Sequence, residues 1–245
     1  MIKVIPSADR HFADHGWLQT YWHFSFSDYH DPKNMNWSVL RVFNDDVVQP
    51  GQGFGMHPHR DMEIVTIVLE GALEHRDSLG NTGVIRPGEV QVMRAGTGIV
   101  HSEFNHSKSD PLHLLQLWIL PRTKNLTPRW EQRTFGPAER AGKLLPVVSA
   151  ALNTKQAGQS SGKIPGTMQI DQDAAIYLSS LAAGQQVTHT FAPGLPRNAY
   201  LFVTDGAVEV NGVALAAGDQ GRIADESQLI IAAKQPANLI LLDLP

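Results

Sequence analysis

Two short clusters of metal-binding side chains carry the most specific chemistry in this sequence. The first, H-P-H-R-D-M-E, follows the glycine-rich turn G-Q-G-F-G, and the second is G-I-V-H-S-E-F-N. His57 and His59 stand two residues apart, and so do His101 and Glu103. Because residues i and i+2 of an extended strand point to the same face, each pair would aim into one place. Two strands facing each other would therefore gather three imidazoles and one carboxylate.

This ligand set predicts a site for a first-row transition metal. Imidazole suits iron, copper, nickel and zinc, and a carboxylate adds hard, anionic character. Three histidines and one carboxylate leave open positions on a six-coordinate ion, where a substrate and dioxygen could bind side by side. A structural zinc site is more often closed and sulfur-rich, which a chain without cysteine cannot build. We expect one divalent ion, with iron first and nickel, copper, manganese or zinc as alternatives.

Each cluster also has a plainer interpretation. The H-P-H triplet alone could be two surface histidines around a turn proline, and His101 with Glu103 could be a pair on the rim of a loop. Glu63 could be a metal ligand, or it could have a structural role or orient an imidazole. We favour a structural or orienting role, because Glu103 already supplies a carboxylate ligand at a better spacing from a histidine. His113 reads as a satisfied core or pocket-lining residue, and His75 has no partner at ligand spacing.

Composition and charge exclude several other classes of function. The chain has 245 residues, a net charge of −4 and no cysteine, so disulfides, thiolate zinc sites and thiol catalysis are excluded. Its lysines and arginines are scattered, which indicates no nucleic-acid surface. The sequence also shows no signal-peptide core and no apolar run of membrane-spanning length. We expect a soluble, cytoplasmic protein, monomeric and without a membrane or nucleic-acid partner.

Short β-branched and aromatic runs separated by turn residues predict an all-β fold. Residues 39–43 read as one strand, closed by the turn residues Asn44-Asp45-Asp46. Further along, Asp205-Gly206 and Asn211-Gly212 are hairpin signals that suit type I′ turns. Residues 121–150 have weak strand signals and read as a linker, with a short helical turn at 137–143. Residues 151–166 read as a mobile surface loop.

The pattern of strands after this linker repeats the pattern before it, which predicts two β-barrel-like domains in tandem. We place the boundary between residues 135 and 136. The later half lacks the metal-binding side chains of the earlier half. Its counterpart to the first cluster, G-Q-Q-V-T-H-T-F, has only His189, and its counterpart to the second has no histidine. We therefore predict no metal in the second domain.

With these residues identified, the chain resembles the pirins, two-domain members of the cupin superfamily. Gly51, His57, His59 and Glu63 fit the first cupin motif, and Gly71 closes it one residue late. Matches to the second motif and to stretches more particular to pirins are Gly98, His101, Asn105, H-G-W-L, H-P-H, A-G-T-G-I-V-H-S-E-F-N and L-Q-L-W-I-L-P. Gly96 replaces the proline of the second motif, a departure in the turn that touches no ligand.

The resemblance implies a cupin domain over residues 1–135 that binds metal through His57, His59, His101 and Glu103. It implies a degenerate cupin domain without ligands over residues 136–245. Several pirins act as quercetin 2,3-dioxygenases, which cleave the heterocyclic ring of a flavonol with dioxygen and release carbon monoxide. In a similar mechanism Glu103 would also be the general base for the flavonol 3-hydroxyl. Other pirins resemble non-enzymatic regulators that bind a protein partner and sense the redox state of the metal, which is the alternative function here.

Overall fold

The fold is described from a computed structural model that covers residues 1–151, 162–194 and 196–245. The predicted loop at 151–166 lies largely outside these residues. Two compact units make up the chain, one of residues His11–Phe135 and one of residues Met1–Arg10 with Gly136–Pro245. Both are built almost entirely of strands, so the predicted all-β, two-domain fold is confirmed. Within the described residues, no helix is long and apolar enough to cross a membrane.

The strands are numbered along the chain. They are β1 (Ile2–Ile5), β2 (His11–Asp14), β3 (Leu18–Trp22), β4 (Leu40–Val48), β5 (Gly53–His59), β6 (Glu63–Glu70), β7 (Leu73–Asp77), β8 (Thr82–Ile85), β9 (Glu89–Arg94), β10 (Ile99–Asn105), β11 (Leu112–Ile119), β12 (Arg129–Thr134), β13 (Leu145–Ala150), β14 (Met168–Ile170), β15 (Ala175–Leu181), β16 (Gln186–Thr190), β17 (Asn198–Asp205), β18 (Ala207–Val210), β19 (Val213–Ala216), β20 (Gln220–Ala224), β21 (Gln228–Ala233) and β22 (Ala237–Leu244). A 3-10 helix spans Ser7–Asp9 and an α-helical turn, α1, spans Pro137–Arg140.

The first unit, residues His11–Phe135, consists of two antiparallel sheets. One has seven strands in the order β12-β9-β6-β11-β4-β3-β2, and the other has four in the order β5-β10-β7-β8. Strand β6 lies near the middle of the larger sheet, and its run E-I-V-T-I-V-L is buried almost throughout. Such a continuous apolar run is stable only where both faces of a strand are covered. Leu18, Leu73 and Leu112 belong to one apolar core of this unit.

The second unit repeats this strand order, except that its strands β13 and β14 pair in parallel whereas β3 and β2 pair antiparallel. Its sheets run β1-β20-β17-β22-β15-β13-β14 and β16-β21-β18-β19. Strand β1 pairs with β20 from Ile2↔Ile223 to Ile5↔Gln220, at the edge that β12 occupies in the first unit. Residues 1–10, predicted to lie in the first domain, therefore belong to the second unit. Their backbone groups complete the open edge of β20.

Turn signals in the sequence were reliable only in part. At Asn211 and Gly212 φ is 46° and 84°, and the two residues connect the paired strands β18 and β19, so this predicted hairpin is confirmed. Gly206 has a φ of 78°, whereas Asp205 remains in strand β17 with no positive φ, so the predicted type I′ turn there is wrong. The predicted helical turn is confirmed as α1. Strands β12 and β13 both fall within the predicted linker at 121–150, so the linker prediction is wrong for these residues.

The predicted turn at Asn44-Asp45-Asp46 is wrong. These residues do not end a strand; they lie in the middle of β4, which continues to Val48. Asn44 and Asp46 are each 4% exposed. A local preference for turns is overridden here by pairing of β4 with β3 on one side and β11 on the other. Both side chains line a cavity of the first unit.

Candidate metal centre

Strands β5 and β10 bring the three predicted histidine ligands together. They pair antiparallel, with His101 opposite His57 and Ile99 opposite His59. One ring nitrogen from each of His57, His59 and His101 lies within 4.8 Å of the other two. The ring centroids of His57 and His101 are 4.4 Å apart, and that of His59 is 4.8 Å from each of them. The alternation of side chains along each strand and the register between the strands together create this cluster.

Glu103 takes its position from an irregularity in the same pair of strands. Strand β10 advances two residues from His101 to Glu103, while β5 advances three, from His57 to Phe54. One extra residue of this kind bends a strand and re-aims its neighbours. The Glu103 carboxylate is 3% exposed and groups with His101 and His75 within 4.8 Å. It lines the same cavity as His57 and His59.

Two glutamine amides hold the Glu103 carboxylate. Gln91 donates from Nε2 to Oε1 at 3.3 Å, and Gln116 donates from Nε2 to Oε2 at 2.7 Å. Trp130 in turn donates from Nε1 to Oε1 of Gln91, and Trp118 donates from Nε1 to Oε1 of Gln116. Since an indole can only donate, it fixes which end of each amide faces the carboxylate. These polar partners gave no signal in the sequence, because each depends on pairing between strands.

The protonation states of the histidines suit metal binding. Burial, together with the neighbouring His101 and His57, lowers the pKa of His59 to about 4. Burial, with His57 and His75 nearby, lowers the pKa of His101 to about 3. Both imidazoles are therefore neutral at pH 7, the form that binds a metal.

The surroundings of two ring nitrogens suit a metal ion. His57 donates from Nδ1 to the Gly55 carbonyl oxygen at 2.7 Å, so in the neutral form of the ring Nε2 carries the lone pair. Nε2 of His101 is buried and has no hydrogen-bond partner in the part of the chain that the structure describes. A buried polar atom without a partner is costly, and a bound cation would satisfy it. The residues present therefore fit a transition metal.

The other candidate residues have different partners. Glu63 is fully buried and accepts a hydrogen bond of 2.9 Å from Nε of Arg94, which agrees with a structural role. His113 contacts Asp45 through Nε2 at 2.6 Å, as a satisfied histidine. His75 was set aside on sequence spacing, yet it is fully buried and its Nδ1 lies 3.5 Å from Nδ1 of His101. Its partner lies on a neighbouring strand, 26 residues away, so spacing within one strand could not reveal it.

A cavity of about 330 Å³ opens beside the cluster. His57, His59 and Glu103 line it on one side. Much of the remaining wall is aromatic and is formed by Trp17, Trp22, Phe26, Phe54 and Trp118. The Trp118 ring meets His59 edge-on, with centroids 4.8 Å apart and planes at 84°. An apolar cleft with a few convergent polar groups is the usual form of a small-molecule site.

Asn44 and Asp46 add polar groups to this cavity. Burial raises the pKa of Asp46 to about 7; the charges of Asp45 and Glu103 add to the effect, and the Thr20 hydroxyl opposes it. Oδ1 of Asp46 and Oδ1 of Asn44 have no hydrogen-bond partner among the residues that the structure describes. The cavity therefore contains a second carboxyl besides Glu103, one that changes charge near neutral pH.

Two parts of the chain match known protein families. Residues 6–119 match the Pirin family, and residues 159–244 match a family described as the quercetinase C-terminal cupin domain. The quercetin 2,3-dioxygenase of Escherichia coli strain K12 is 42% identical over 245 residues, which cover 100% of this chain and 99% of the relative. The chain belongs to the pirin family. A pirin-like protein of Caulobacter vibrioides is 43% identical over 231 residues, 94% of each chain.

Solved pirin structures share the whole fold. The crystal structure of YhhW from Escherichia coli superposes with a TM-score of 0.91 at 41% identity and covers 100% of this chain and 98% of that one. The structure described as bacterial pirin YhhW in complex with nickel(II) gives a TM-score of 0.90 at 41% identity and covers 100% and 99%. These neighbours confirm the two-cupin fold.

In this pirin the second unit contains a buried ionic network that includes His189, a residue on the counterpart of a metal-site strand. His189 lies on β16, the counterpart of β5, and its Nε2 is 3.0 Å from Oδ2 of Asp243. Arg197 donates from Nε to Oδ1 of Asp243 at 2.8 Å and from Nη1 to Oδ2 of Asp173 at 2.9 Å. Arg197 and Asp243 are each 4% exposed. A guanidinium is thus the positive group that neutralises this buried carboxylate.

Proposed function

We propose that this pirin is a metal-dependent dioxygenase that opens the heterocyclic ring of a flavonol with dioxygen. Its metal would be held by His57, His59, His101 and Glu103. One observation carries the proposal: three histidines that are close enough together to share a metal ion lie beside a cavity, and two of them, His57 and His59, form part of its otherwise mainly aromatic wall. A flat aromatic substrate in this cavity would lie against the metal ligands.

The bound metal would supply Lewis acidity toward the flavonol oxygen and dioxygen. The protein's own groups would do the rest. Trp118 and Phe54 line the cavity and would bind and orient a flat ring while excluding water. Glu103 would accept the proton of the flavonol 3-hydroxyl on a carboxylate oxygen. Gln91 and Gln116 hold that carboxylate in place, which keeps the base oriented for the transfer.

Relatives support this assignment. The Escherichia coli relative is named quercetin 2,3-dioxygenase, and the chain aligns with it over its whole length. Iron is our first choice of metal, because imidazole and carboxylate ligands with open positions are typical of iron oxygenases. Nickel is the first rival, since the solved YhhW complex contains nickel(II). Copper, manganese and zinc also accept this ligand set.

We further propose that this chemistry is confined to the first unit. Residues 136–245 would then form a cupin domain without metal ligands. The proposal also retains the expectation of a cytoplasmic monomer with no membrane or nucleic-acid partner. Size-exclusion chromatography with light scattering tests the monomer directly.

The experiment begins with metal content, measured by mass spectrometry on protein purified without oxygen or chelator. His57→Ala is compared with the wild type and with His106→Ala, a control at a histidine whose side chain is 46% exposed. We expect near-stoichiometric metal in the wild type and the control, and its loss in His57→Ala. If the wild type binds no metal even after reconstitution, the proposal is wrong.

Activity is then measured as dioxygen uptake and carbon monoxide release with quercetin. Glu103→Gln preserves the shape of the side chain but removes the base, so we expect turnover to fall by on the order of 10²–10⁴-fold. Full activity in this variant would exclude Glu103 as the base. A wild-type protein that binds metal but neither consumes dioxygen nor releases carbon monoxide would exclude the dioxygenase and favour a metal-sensing regulator.

A further inference from the structure

The side chains of His101, His75 and Asp77 form a continuous polar chain. Nδ1 of His101 is 3.5 Å from Nδ1 of His75, and Nε2 of His75 is 3.3 Å from Oδ2 of Asp77. Both distances are at the long end of hydrogen-bond geometry. The chain follows the register of β10 with β7, in which His101 lies opposite Asp77 and Glu103 lies opposite His75.

Asp77 is the fixed end of this chain. Its Oδ1 accepts hydrogen bonds from the backbone N–H groups of Leu79 and Asn81, at 2.9 and 3.0 Å, and its Oδ2 accepts one from Nδ2 of Asn81 at 2.9 Å. A carboxyl group that receives three N–H donors acts as an acceptor. The nitrogen of His75 that faces it must therefore be the donor.

This requirement determines the protons along the rest of the chain. If His75 carries its proton on Nε2, its Nδ1 has a lone pair and can only accept. His101 must then donate from Nδ1, which leaves a lone pair on its Nε2. That nitrogen is the buried, unpartnered atom at the histidine cluster. The opposite tautomer of His101 would place a hydrogen on Nε2, where it would block a metal.

Packing holds His75 in this position. Its ring is fully buried and stacks on Trp130, with centroids 5.4 Å apart and planes at 13°. The centroid of the His101 ring is 5.3 Å from that of His75. A stacked, enclosed imidazole has little freedom to rotate, so it can present Nδ1 to His101 and Nε2 to Asp77 at the same time.

We infer that His75, anchored by Asp77, is a positioning residue that fixes His101 in the tautomer with Nε2 free for the metal. The inference rests on the proposed metal centre and assigns His75 a role outside the ligand set, although one of its ring nitrogens lies close enough to His101 and Glu103 to be considered as a ligand. Partners of this kind orient a ligating histidine and raise its basicity, and losing one typically lowers metal affinity by about 10–100-fold.

The test compares three variants. His75→Phe retains a flat ring against Trp130 but removes both nitrogens. His75→Asn places an amide oxygen near the position of Nδ1. This oxygen can again accept a hydrogen bond from His101. His106→Phe removes a histidine whose side chain is 46% exposed and which contacts Glu74 by hydrogen bond, and it serves as the matched control.

Two measurements are made on each variant. The first is the dissociation constant for iron(II), or for nickel(II) as an air-stable probe, by competition with a chromogenic chelator. The second is the tautomer of His101 in the metal-free protein, read from long-range ¹H–¹⁵N correlations. The tautomer does not depend on turnover or on bound metal, so failure of this inference is distinguishable from failure of the proposed function.

We expect His75→Phe to weaken metal binding by about 10–100-fold and to give a mixture of His101 tautomers. His75→Asn should recover part of both losses, and His106→Phe should match the wild type. An unchanged metal affinity and an unchanged His101 tautomer in His75→Phe would overturn the inference. Complete loss of metal in His75→Phe, equal to that in His57→Ala and without rescue by His75→Asn, would make His75 a ligand and would also overturn it.

Discussion

Gln116 donates a hydrogen bond of 2.7 Å from its Nε2 to Oε2 of Glu103, and its own Oε1 is held by the Trp118 indole at 3.0 Å. Gln91 and Trp130 repeat this arrangement on Oε1 of Glu103. The proposed ligand and base is thus held from both sides by amides that cannot flip without losing an indole donor. The orientation of Glu103 is therefore fixed by side chains on strands β9 and β11 and not by a loop.

The first prediction concerns this contact. Gln116→Leu keeps the approximate volume of the side chain but removes the donor, so Oε2 of Glu103 loses its short hydrogen bond. We expect metal affinity or turnover to fall by about 10–100-fold, as is typical when a partner of a ligand is lost. Chelator competition and dioxygen uptake measure the two effects. Gln19→Leu, at an exposed position of β3, is the control. Equal metal affinity and equal turnover in the two variants would contradict the prediction.

The second prediction concerns the glycine-rich turn before the first histidine pair. A Cβ atom on Gly53 would lie 2.3 Å from the carbonyl oxygen of Glu103 and 2.5 Å from Cα of Phe104, both backbone atoms that cannot move aside alone. A Cβ atom on Gly55 would have nothing within 4 Å. We therefore expect Gly53→Ala to push β5 away from β10 and lower metal content, whereas Gly55→Ala should retain it.

Both glycine variants are compared with the wild type in two measurements. These are the metal content by mass spectrometry and the thermal unfolding with and without added metal. Added metal stabilises a protein that binds it only when folded. The increase in melting temperature on metal addition should therefore be present in the wild type and Gly55→Ala and absent in Gly53→Ala. An equal increase in all three proteins would show that the close approach of Gly53 to β10 does not matter for the site.

How far the site could be predicted depends on the range of the interactions involved. His57 with His59, and His101 with Glu103, were visible because their spacing follows from the alternation of a single strand. The partners of these side chains, His75, Gln91 and Gln116, depend on which strands become neighbours, which spacing does not encode. Glu103 also owes its position to the extra residue in β5, a local irregularity that no periodic pattern indicates.

For the fold too, local features were predictable from the sequence and pairing between distant strands was not. Alternating apolar runs predicted an all-β chain in two halves, since this pattern is local. The place of residues 1–10 was not predictable, because strand β1 pairs with β20, which lies more than 200 residues further along the sequence. Asn44-Asp45-Asp46 was misread as a turn because its tendency to form turns is a local preference, and pairing on both sides of β4 outweighs it.

The third prediction uses the buried carboxyl in the cavity. Burial raises the pKa of Asp46 to about 7, so the folded state binds this proton more tightly than the unfolded state does. Its contribution to stability is therefore present at low pH and is lost as the pH rises from about 4 to about 7, by at most about 1.4 kcal/mol per pH unit. Asp46→Asn cannot lose a proton, so this decline should disappear in that variant.

Urea unfolding of the metal-free proteins at pH 5 and pH 8 measures the difference. Relative to the wild type, Asp46→Asn should be more stable at pH 8 than at pH 5. Asp28→Asn, at an exposed position in the first unit, should show no such change with pH. A constant difference in stability between Asp46→Asn and the wild type at the two pH values would mean that Asp46 does not titrate in this range.

The fourth prediction concerns the second unit. Arg197 neutralises Asp243 and Asp173 in a buried network. Arg197→Met would leave these carboxylates without their cation, and removing one partner of a buried ion pair typically costs about 3–5 kcal/mol of folding free energy. Lys234→Met is the control: its ammonium pairs with Glu209 at 2.9 Å, but the lysine side chain is 59% exposed, so its loss should cost no more than about 1 kcal/mol.

Two optical probes separate the units in this experiment. All five tryptophans, at positions 17, 22, 37, 118 and 130, lie in the first unit, so intrinsic fluorescence reports that unit, whereas far-ultraviolet circular dichroism reports both. We expect Arg197→Met to lower the urea midpoint chiefly by circular dichroism. Adding Asp243→Asn to Arg197→Met should restore part of the loss, because the amide removes one of the stranded charges. If the double variant is no more stable than Arg197→Met, the cost comes from lost packing of the arginine stem rather than from unpaired charge.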